Sequence, residues 1–302
     1  MHSNLSDGDA APEKVINWYK DHGFSFVFLT DHNRLSNPTL YKSIANKNFI
    51  ILSGEEVSWV VDPGQNLKKI PVHLNSLCSK KAVIKEKHTS VRVALQKALE
   101  PIKSQPGAIA QINHPNFGWA LTFDDIINSK GADLIEIANQ HPLVKNEGND
   151  THPSTEALWD RLLSRNKRLY GTATDDTHHL YPTPDQKIIA APGKGWVELS
   201  SSHLTPRNIC KSIKKGDFYF STGVELTKID VRPQEYEVNI ALKPDQTETS
   251  VKTEFIGRNG KVLSTISGPV AVYKLQGKEL YVRARVMSSD GTFAWTQPVF
   301  TK

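Results

Sequence analysis

Histidine and glutamate residues follow several of the predicted strands in this sequence. His32 comes after FVFLTD, Glu55 and Glu56 come after FIILSG, and His114 comes after AIAQIN. Imidazole and carboxylate groups bind zinc, iron or manganese, and a cluster without thiolates favours these metals. Chemistry in a parallel sheet is concentrated where strands run out into loops, so we expect these side chains to lie close together. The spacing therefore predicts a metal centre.

Other segments supply the same residue types. His2 and Asp7 lie near the start of the chain, His73 lies inside the strand-like run IPVHLNSL, and TDDTHH follows LYGTAT. The TDDTHH segment contains Asp175, Asp176, His178 and His179. A single histidine is more often a helix cap or a core residue than a ligand, but the joint pattern favours ligands. The candidates exceed the usual four ligands of one tetrahedral ion, so we expect two or three metals, with Glu56 as the shared carboxylate.

Short apolar runs alternate with helical periods as far as about Thr222. Strands are predicted at residues 24–29, 49–53, 70–77, 108–112 and 133–138. Alternation of this kind predicts an α/β fold with a parallel sheet, either doubly wound or closed into a barrel. The helical period then disappears, and short alternating segments predict a small antiparallel β-sandwich over residues 224–302.

Composition limits the broad class of protein. The 302 residues, 38% of them hydrophobic, suffice for one large domain or for a large and a small one. No apolar run approaches the roughly 18 residues of a membrane span, and no secretory signal is visible, so we expect a soluble chain. The net charge of +5 is spread over scattered lysines, which makes nucleic acid an unlikely partner. Cys78 and Cys210 show no CxxC spacing and indicate neither a disulfide framework nor a thiolate zinc site.

The order of the histidine and carboxylate motifs resembles that of the polymerase and histidinol phosphatase (PHP) metallohydrolases. The motifs are His2 with SDG, then TDH, GEE, HLNSL, NHP and DTH, and they cover residues 2 to roughly 222. HLNSL, TDDTHH, PGKGWVEL and FYFSTG are most similar to the branch with carbaryl hydrolases and some bacterial phosphodiesterases. The resemblance implies a distorted seven-stranded β/α (TIM-like) barrel over residues 1–223, followed by the β-sandwich domain over residues 224–302.

The resemblance also implies a site with two or three divalent metal ions, zinc, manganese or iron. The implied ligand sets are His2, Glu56 and Asp176 for the first metal, Glu56, His73 and His114 for the second, and Asp7, His32 and His178 for the third. The implied activity is hydrolysis of a small-molecule phosphate mono- or diester through a metal-bound hydroxide.

Four residues are candidates for direct roles in such a reaction. Asp176 or Asp175 is suited to relay a proton, and His178 is suited to protonate the leaving group. Arg34 follows TDHN and is suited to bind phosphate bidentately, although a surface arginine is the commoner case.

Two other interpretations remain open. The same site could hydrolyse an ester, amide or carbamate, because spacing does not encode whether phosphorus or carbon is attacked. The chain could also be an inactive metal-binding relic whose β-domain mediates attachment. Serine-hydrolase and nucleotide-binding classes are set aside, since the sequence contains neither a GxSxG elbow, a P-loop nor a dinucleotide glycine fingerprint.

The PHP pattern opens with HxH, and His2 matches its second histidine. The first would fall one place before Met1, together with the first barrel strand, so we expect the chain to begin inside its domain. The alternative is a genuine start with a depleted first metal site.

If a leader has been removed, an extracytoplasmic location, periplasmic or secreted, is slightly favoured over a cytoplasmic one. The sequence carries no signal for the oligomeric state.

Overall fold

A computed structural model gives the structure of the protein and describes residues 1–64 and 67–301. The α-helices are α1 (Pro12–Asp21), α2 (Val91–Lys103), α3 (Phe123–Asn128), α4 (Thr155–Ser164) and α5 (Pro206–Lys215). The first eight strands are β1 (Phe26–Leu29), β2 (Ile50–Val61), β3 (Ile70–Leu77), β4 (Ile109–Ile112), β5 (Leu134–Asn139), β6 (Tyr170–Thr174), β7 (Trp196–Leu199) and β8 (Phe218–Ser221). The others are β9 (Glu225–Val231), β10 (Glu235–Ala241), β11 (Val251–Gly257), β12 (Lys261–Ser267), β13 (Val270–Lys274), β14 (Tyr281–Ser288), β15 (Phe293–Thr296) and β16 (Val299–Phe300).

The predicted α/β fold with a seven-stranded β/α barrel is wrong. The first six strands form a mixed sheet in the order β1-β2-β3-β4-β5-β6. Three neighbouring pairs are parallel, but β3 runs antiparallel to both β2 and β4. Strand β7 pairs with β8 in a different sheet. Within the described residues, β1 and β6 are the two edges of the mixed sheet and β7 belongs to the other sheet, so the mixed sheet does not close into a barrel. A cavity of about 930 Å³ is lined by residues of both β1 and β7.

The short connection between β2 and β3 explains the error. Only residues 62–69 separate the two strands, whereas a parallel crossover takes about a dozen residues or more. The chain therefore turns back and β3 pairs antiparallel, with Glu56 opposite Asn75 and Ser58 opposite His73. The apolar runs indicated correctly that these segments are strands, but burial on both faces does not encode strand direction.

A second sheet joins the C-terminal strands to two earlier ones. Its order is β12-β11-β14-β15-β8-β7, with β16 paired to β14, and β13-β10-β9 form a separate three-stranded sheet. The pairing of Ala294 with Ser221 places β8 beside β15. The seven-stranded sheet therefore continues across residue 223. Tyr236, Phe255 and Val286 belong to the apolar core between the C-terminal strands.

Helices α2 and α4 cover the mixed sheet with apolar faces. In α2 the fully buried residues recur at helical spacing, and they are Ala94, Leu95, Ala98, Leu99 and Ile102. In α4 the Trp159 ring meets Phe220 of the second sheet at 5.8 Å between centroids. One apolar core thus extends from the mixed sheet to the second sheet. None of the helices in the described part of the chain is long and apolar enough to cross a membrane.

A buried ion cluster lies where α4 meets β14. The fully buried Arg283 donates to both carboxylate oxygens of Asp160, at 2.9 and 2.6 Å, and lies 2.7 Å from Glu156. The Tyr281 hydroxyl donates to the same Asp160 carboxylate at 2.8 Å. A buried charge is tolerated only when it is paired. Removing one member of this cluster would therefore leave an unpaired buried charge and destabilise the fold.

We expect Arg283→Met to lower the free energy of unfolding by about 3–5 kcal/mol, because Asp160 would be left buried without its cation and Glu156 would keep only Arg285. Urea denaturation followed by circular dichroism measures the loss. Arg232→Met is the matched control, because Arg232 pairs with Glu237 on an exposed surface where screening by water makes an ion pair weak. Similar losses in the two variants would contradict the structural role given to Arg283.

Candidate metal centre

The candidate ligands come from strand ends and from strand interiors. His32 lies just beyond β1, His114 just beyond β4 and Asp176 just beyond β6, as the sequence predicted. Glu56 and His73 lie instead inside β2 and β3. Because side chains alternate along a strand and directly opposed residues share a face, the hairpin register brings these two side chains to the same face of the sheet.

Backbone hydrogen bonds hold the first residues of the chain against this edge of the sheet. The amide of His2 donates to the Thr177 carbonyl at 2.8 Å, and the amide of Thr30 donates to the Met1 carbonyl at 3.0 Å. Asp31 accepts from the Ser3 amide at 2.7 Å. These contacts bury His2, which is 1% exposed, between the ends of β1 and β6.

Glu56 lies at the centre of the site. Its Oε2 atom is 2.9 Å from Nε2 of His2, and its Oε1 atom is 3.1 Å from Nδ1 of His73 and 3.3 Å from Nε2 of His114. Asp176 Oδ1 approaches the same His2 nitrogen at 3.1 Å. One buried carboxylate therefore contacts three imidazoles, and His2 links it to a second carboxylate.

A third carboxylate, Asp7, lies at the exposed side of the cluster. Its oxygens are 3.4 Å from Nε2 of both His32 and His178 and 3.6 Å from Nδ1 of His2. The His2 and His178 rings stack at 4.2 Å between centroids. About half of the Asp7 side chain is exposed, so this side of the cluster faces solvent.

Three groups of side chains in this cluster could each hold a metal ion. Within each group the possible ligand atoms lie within 4.8 Å of one another. The groups are His2, Glu56 and Asp176; Glu56, His73 and His114; and His2, Asp7, His32 and His178. All eight residues that the sequence singled out as ligands come together, and His2 and Glu56 each belong to two groups.

Several buried atoms in the cluster have unused bonding capacity. Glu56 Oε1 is close to two ring nitrogens, yet it has no hydrogen-bond partner of acceptable geometry, and Nδ1 of both His32 and His73 also lacks one. Buried polar atoms are nearly always satisfied in proteins. Short distances without hydrogen bonds are the pattern expected of ligands directed at a shared ion. The nitrogen and oxygen donors fit zinc, manganese or iron.

Without a bound cation, the cluster is held together by ionised pairs. Burial opposes protonation of His2, but hydrogen bonds with Asp176 and Glu56 outweigh it and raise the His2 pKa to about 9. Burial also opposes protonation of His114, but the contact with Glu56 outweighs burial and raises the His114 pKa to about 9. Burial likewise opposes ionisation of Glu56, yet its three imidazole partners hold its pKa well below the usual range. Carboxylates that stay ionised are available to a divalent cation.

A second carboxylate layer supports the ligands. Glu136 is fully buried on β5 and accepts from the His114 amide at 2.6 Å and from the Thr174 hydroxyl at 2.8 Å. Asn139 donates to Glu136 at 3.1 Å and to Asp176 at 3.2 Å, which orients the Asp176 carboxylate. Sequence reasoning missed both residues. The signal was present, because DLIEIAN is another buried strand that ends in polar residues.

The four residues predicted to act in catalysis are placed differently. Asp176 and His178 belong to the metal-binding groups. Asp175 belongs to none of the three groups and is a buried acceptor for the Tyr19 hydroxyl at 2.6 Å and the Gly193 amide at 2.7 Å. Arg34 is exposed, two residues after His32, and is also outside the groups.

The walls of the site include residues that the sequence did not single out as ligands. The Phe117 ring lies 5.3 Å from His114 and 5.9 Å from His73, between centroids. His141 lies 5.3 Å from His178. Burial lowers the His141 pKa below its ordinary value. The Trp119 ring stacks on His152 at 4.2 Å between centroids.

No protein-family model matches this chain, and no curated protein matches it. The chemical interpretation of the cluster therefore depends on its geometry and on the motifs themselves.

We expect Glu56→Gln to lower the metal content of the purified chain by at least one ion, because Glu56 is shared between two groups. Elemental analysis after loading with zinc or manganese and desalting measures the content. Glu55→Gln is the matched control, since this neighbouring buried carboxyl accepts from the Val83 amide and belongs to no ligand group. Equal metal contents in the two variants would show that Glu56 is not a ligand.

Asp175 and Asp176 should respond differently to the same substitution. Asp176→Asn is expected to lose metal. Asp175→Asn is expected to keep it but to lose about 1–3 kcal/mol of stability, because its bonds with Tyr19 and Gly193 are weakened. Elemental analysis combined with thermal unfolding separates the two outcomes. Loss of metal from Asp175→Asn without loss of stability would show that Asp175 is itself a direct ligand.

Proposed function

We propose that this protein is a metal-dependent hydrolase that cleaves phosphate esters. The observation that carries the proposal is the pair of groups that share Glu56, because two divalent cations held by these groups would have one buried carboxylate in common. Adjacent cations bridged by a carboxylate suit an in-line displacement at phosphorus, in which the attacking and leaving oxygens both carry charge. Small-molecule phosphate mono- and diesters are the proposed substrate class.

The roles of the residues follow from their positions. When bound, divalent cations supply Lewis-acid stabilisation of phosphoryl oxygens and generate a nucleophile from water near neutral pH. His2, Glu56 and Asp176 would hold one ion, and Glu56 with His73 and His114 would hold the other. Glu136 and Asn139 keep His114 and Asp176 in place.

The exposed side of the cluster is where substrate would enter. Asp7 and His178 lie there. The Nδ1 atom of His178 lies 2.7 Å from the Asp176 carbonyl oxygen, and its Nε2 atom lies 3.4 Å from the Asp7 carboxylate. Where the group around Asp7 holds no third ion, His178 would be the residue that protonates the leaving oxygen. Phe117 would exclude water from one wall, and Arg34 would bind a phosphoryl oxygen as the substrate approaches.

The PHP-like motif order supports the proposal through the ligand residues and not through the fold. His2, TDH, GEE, HLNSL, NHP and DTH are the segments that meet in the cluster. The mixed sheet differs from the barrel that the resemblance implied.

The disulfide between Cys78 and Cys210 supports an extracytoplasmic location, because disulfides persist mainly in oxidising compartments.

A substrate panel tests the proposal. The zinc- or manganese-loaded chain should hydrolyse bis(p-nitrophenyl) phosphate or p-nitrophenyl phosphate, and chelation should abolish the activity. We expect Glu56→Gln to lower kcat/KM by at least about 100-fold, while Glu55→Gln retains activity if folded. Turnover of p-nitrophenyl acetate or an aryl carbamate without phosphoester turnover would replace the proposal with a carboxyl-ester or carbamate hydrolase. Bound metal with no turnover of any substrate would favour the relic interpretation.

A further inference from the structure

The disulfide lies in the wall of a cavity. Cys78, just after β3, is bonded to Cys210 in α5, and the bond joins residues 132 positions apart in the chain. Both cysteines are half-buried and line an open cavity of about 1140 Å³. None of the residues in the three metal-binding groups lines this cavity. The two cysteines therefore line a pocket that shares no residue with the three metal-binding groups.

The pocket is strongly cationic. Five basic residues line it, namely Lys80, Arg207, Lys211, Lys214 and Lys215, and no aspartate or glutamate is found among its described lining residues. Four of the five are exposed, and Lys214 donates to the Ala108 carbonyl at 2.8 Å. Within residues 1–64 and 67–301, none of the five forms a salt bridge.

The cations on α5 lie close together on the helix surface. Arg207, Lys211 and Lys215 are spaced four residues apart, so they form one row along the helix surface. Like charges at this spacing repel one another and destabilise a helix. Cys210 and Lys214 form the adjacent row. An anionic ligand in the pocket would relieve this repulsion, and it would lie beside the disulfide.

We propose that this pocket binds an anionic low-molecular-weight thiol, which exchanges with the Cys78–Cys210 disulfide to leave one cysteine S-thiolated. The thiolate sulfur of the small molecule attacks one Sγ atom, and a new sulfur–sulfur bond forms as the Cys78–Cys210 bond breaks. The other cysteine leaves as a thiolate and takes a proton from water. The exchange is electron-balanced, because one disulfide replaces another. This inference does not depend on the proposed hydrolase activity.

The cations supply selectivity in this exchange. A cleft lined by one sign of charge raises the local concentration of oppositely charged small molecules and their association rates by about 10- to 1,000-fold. The departing cysteine thiolate is also stabilised by neighbouring lysine and arginine side chains. A thiol with a second anionic group should therefore react faster than a neutral or cationic thiol of the same nucleophilicity.

The test compares three small thiols that differ in charge. Mercaptoethanesulfonate, 2-mercaptoethanol and cysteamine are added to the intact chain at matched thiolate concentrations, and alkylated samples are followed by mass spectrometry. We expect the anionic thiol to form its mixed disulfide at least about tenfold faster than the cationic one, with the preference reduced at high salt. No mixed disulfide, or equal rates for the three thiols, would overturn the proposal.

A double variant tests the role of the pocket. Lys211→Gln/Lys215→Gln should lose most of the preference for the anionic thiol while keeping its disulfide and its circular dichroism spectrum. Lys274→Gln/Lys278→Gln removes the same charge from residues outside the pocket and should keep the preference. An equal loss in both variants would attribute the selectivity to net charge and would contradict a dedicated site.

Discussion

The site depends on one buried carboxylate. Glu56 is 2% exposed and contacts His2, His73 and His114, three residues supplied by different parts of the chain. Burying an ionised carboxylate is costly unless it is paired, so its three partners must be held in place by the surrounding structure. The backbone contacts of the first residues, the β2–β3 hairpin and the support from Glu136 all serve this requirement.

The short connection between β2 and β3 has consequences for both the fold and the site. It makes β3 antiparallel and leaves a mixed sheet, so the sheet cannot follow the barrel pattern. It also places His73 on a strand next to Glu56, with a register that keeps both side chains on one face. The short connection that excludes a β/α barrel therefore also brings His73 beside Glu56 in one of the candidate metal-binding groups.

The rest of the chain supports the mixed sheet at a distance from the cluster. The buried Arg283 cluster and the contact between Trp159 and Phe220 join α4 to the second sheet. The disulfide joins the end of β3 to α5. In the chain-entropy account, a covalent link between residues so far apart in sequence restricts the unfolded state strongly. These contacts join the elements around the mixed sheet to one another.

The sequence by itself determined the existence of most strands and the residue types of the cluster, because burial and ligand chemistry are properties of local segments. His32, His114 and Asp176 follow strands, as their spacing indicated. Only the tertiary structure decided the direction of the strands and the pairing of Cys78 with Cys210. It also decided that Asp176 belongs to a metal-binding group whereas Asp175 does not. Each of these depends on which distant segments meet in space, and a pattern of apolar and polar residues along one segment carries no record of its partner.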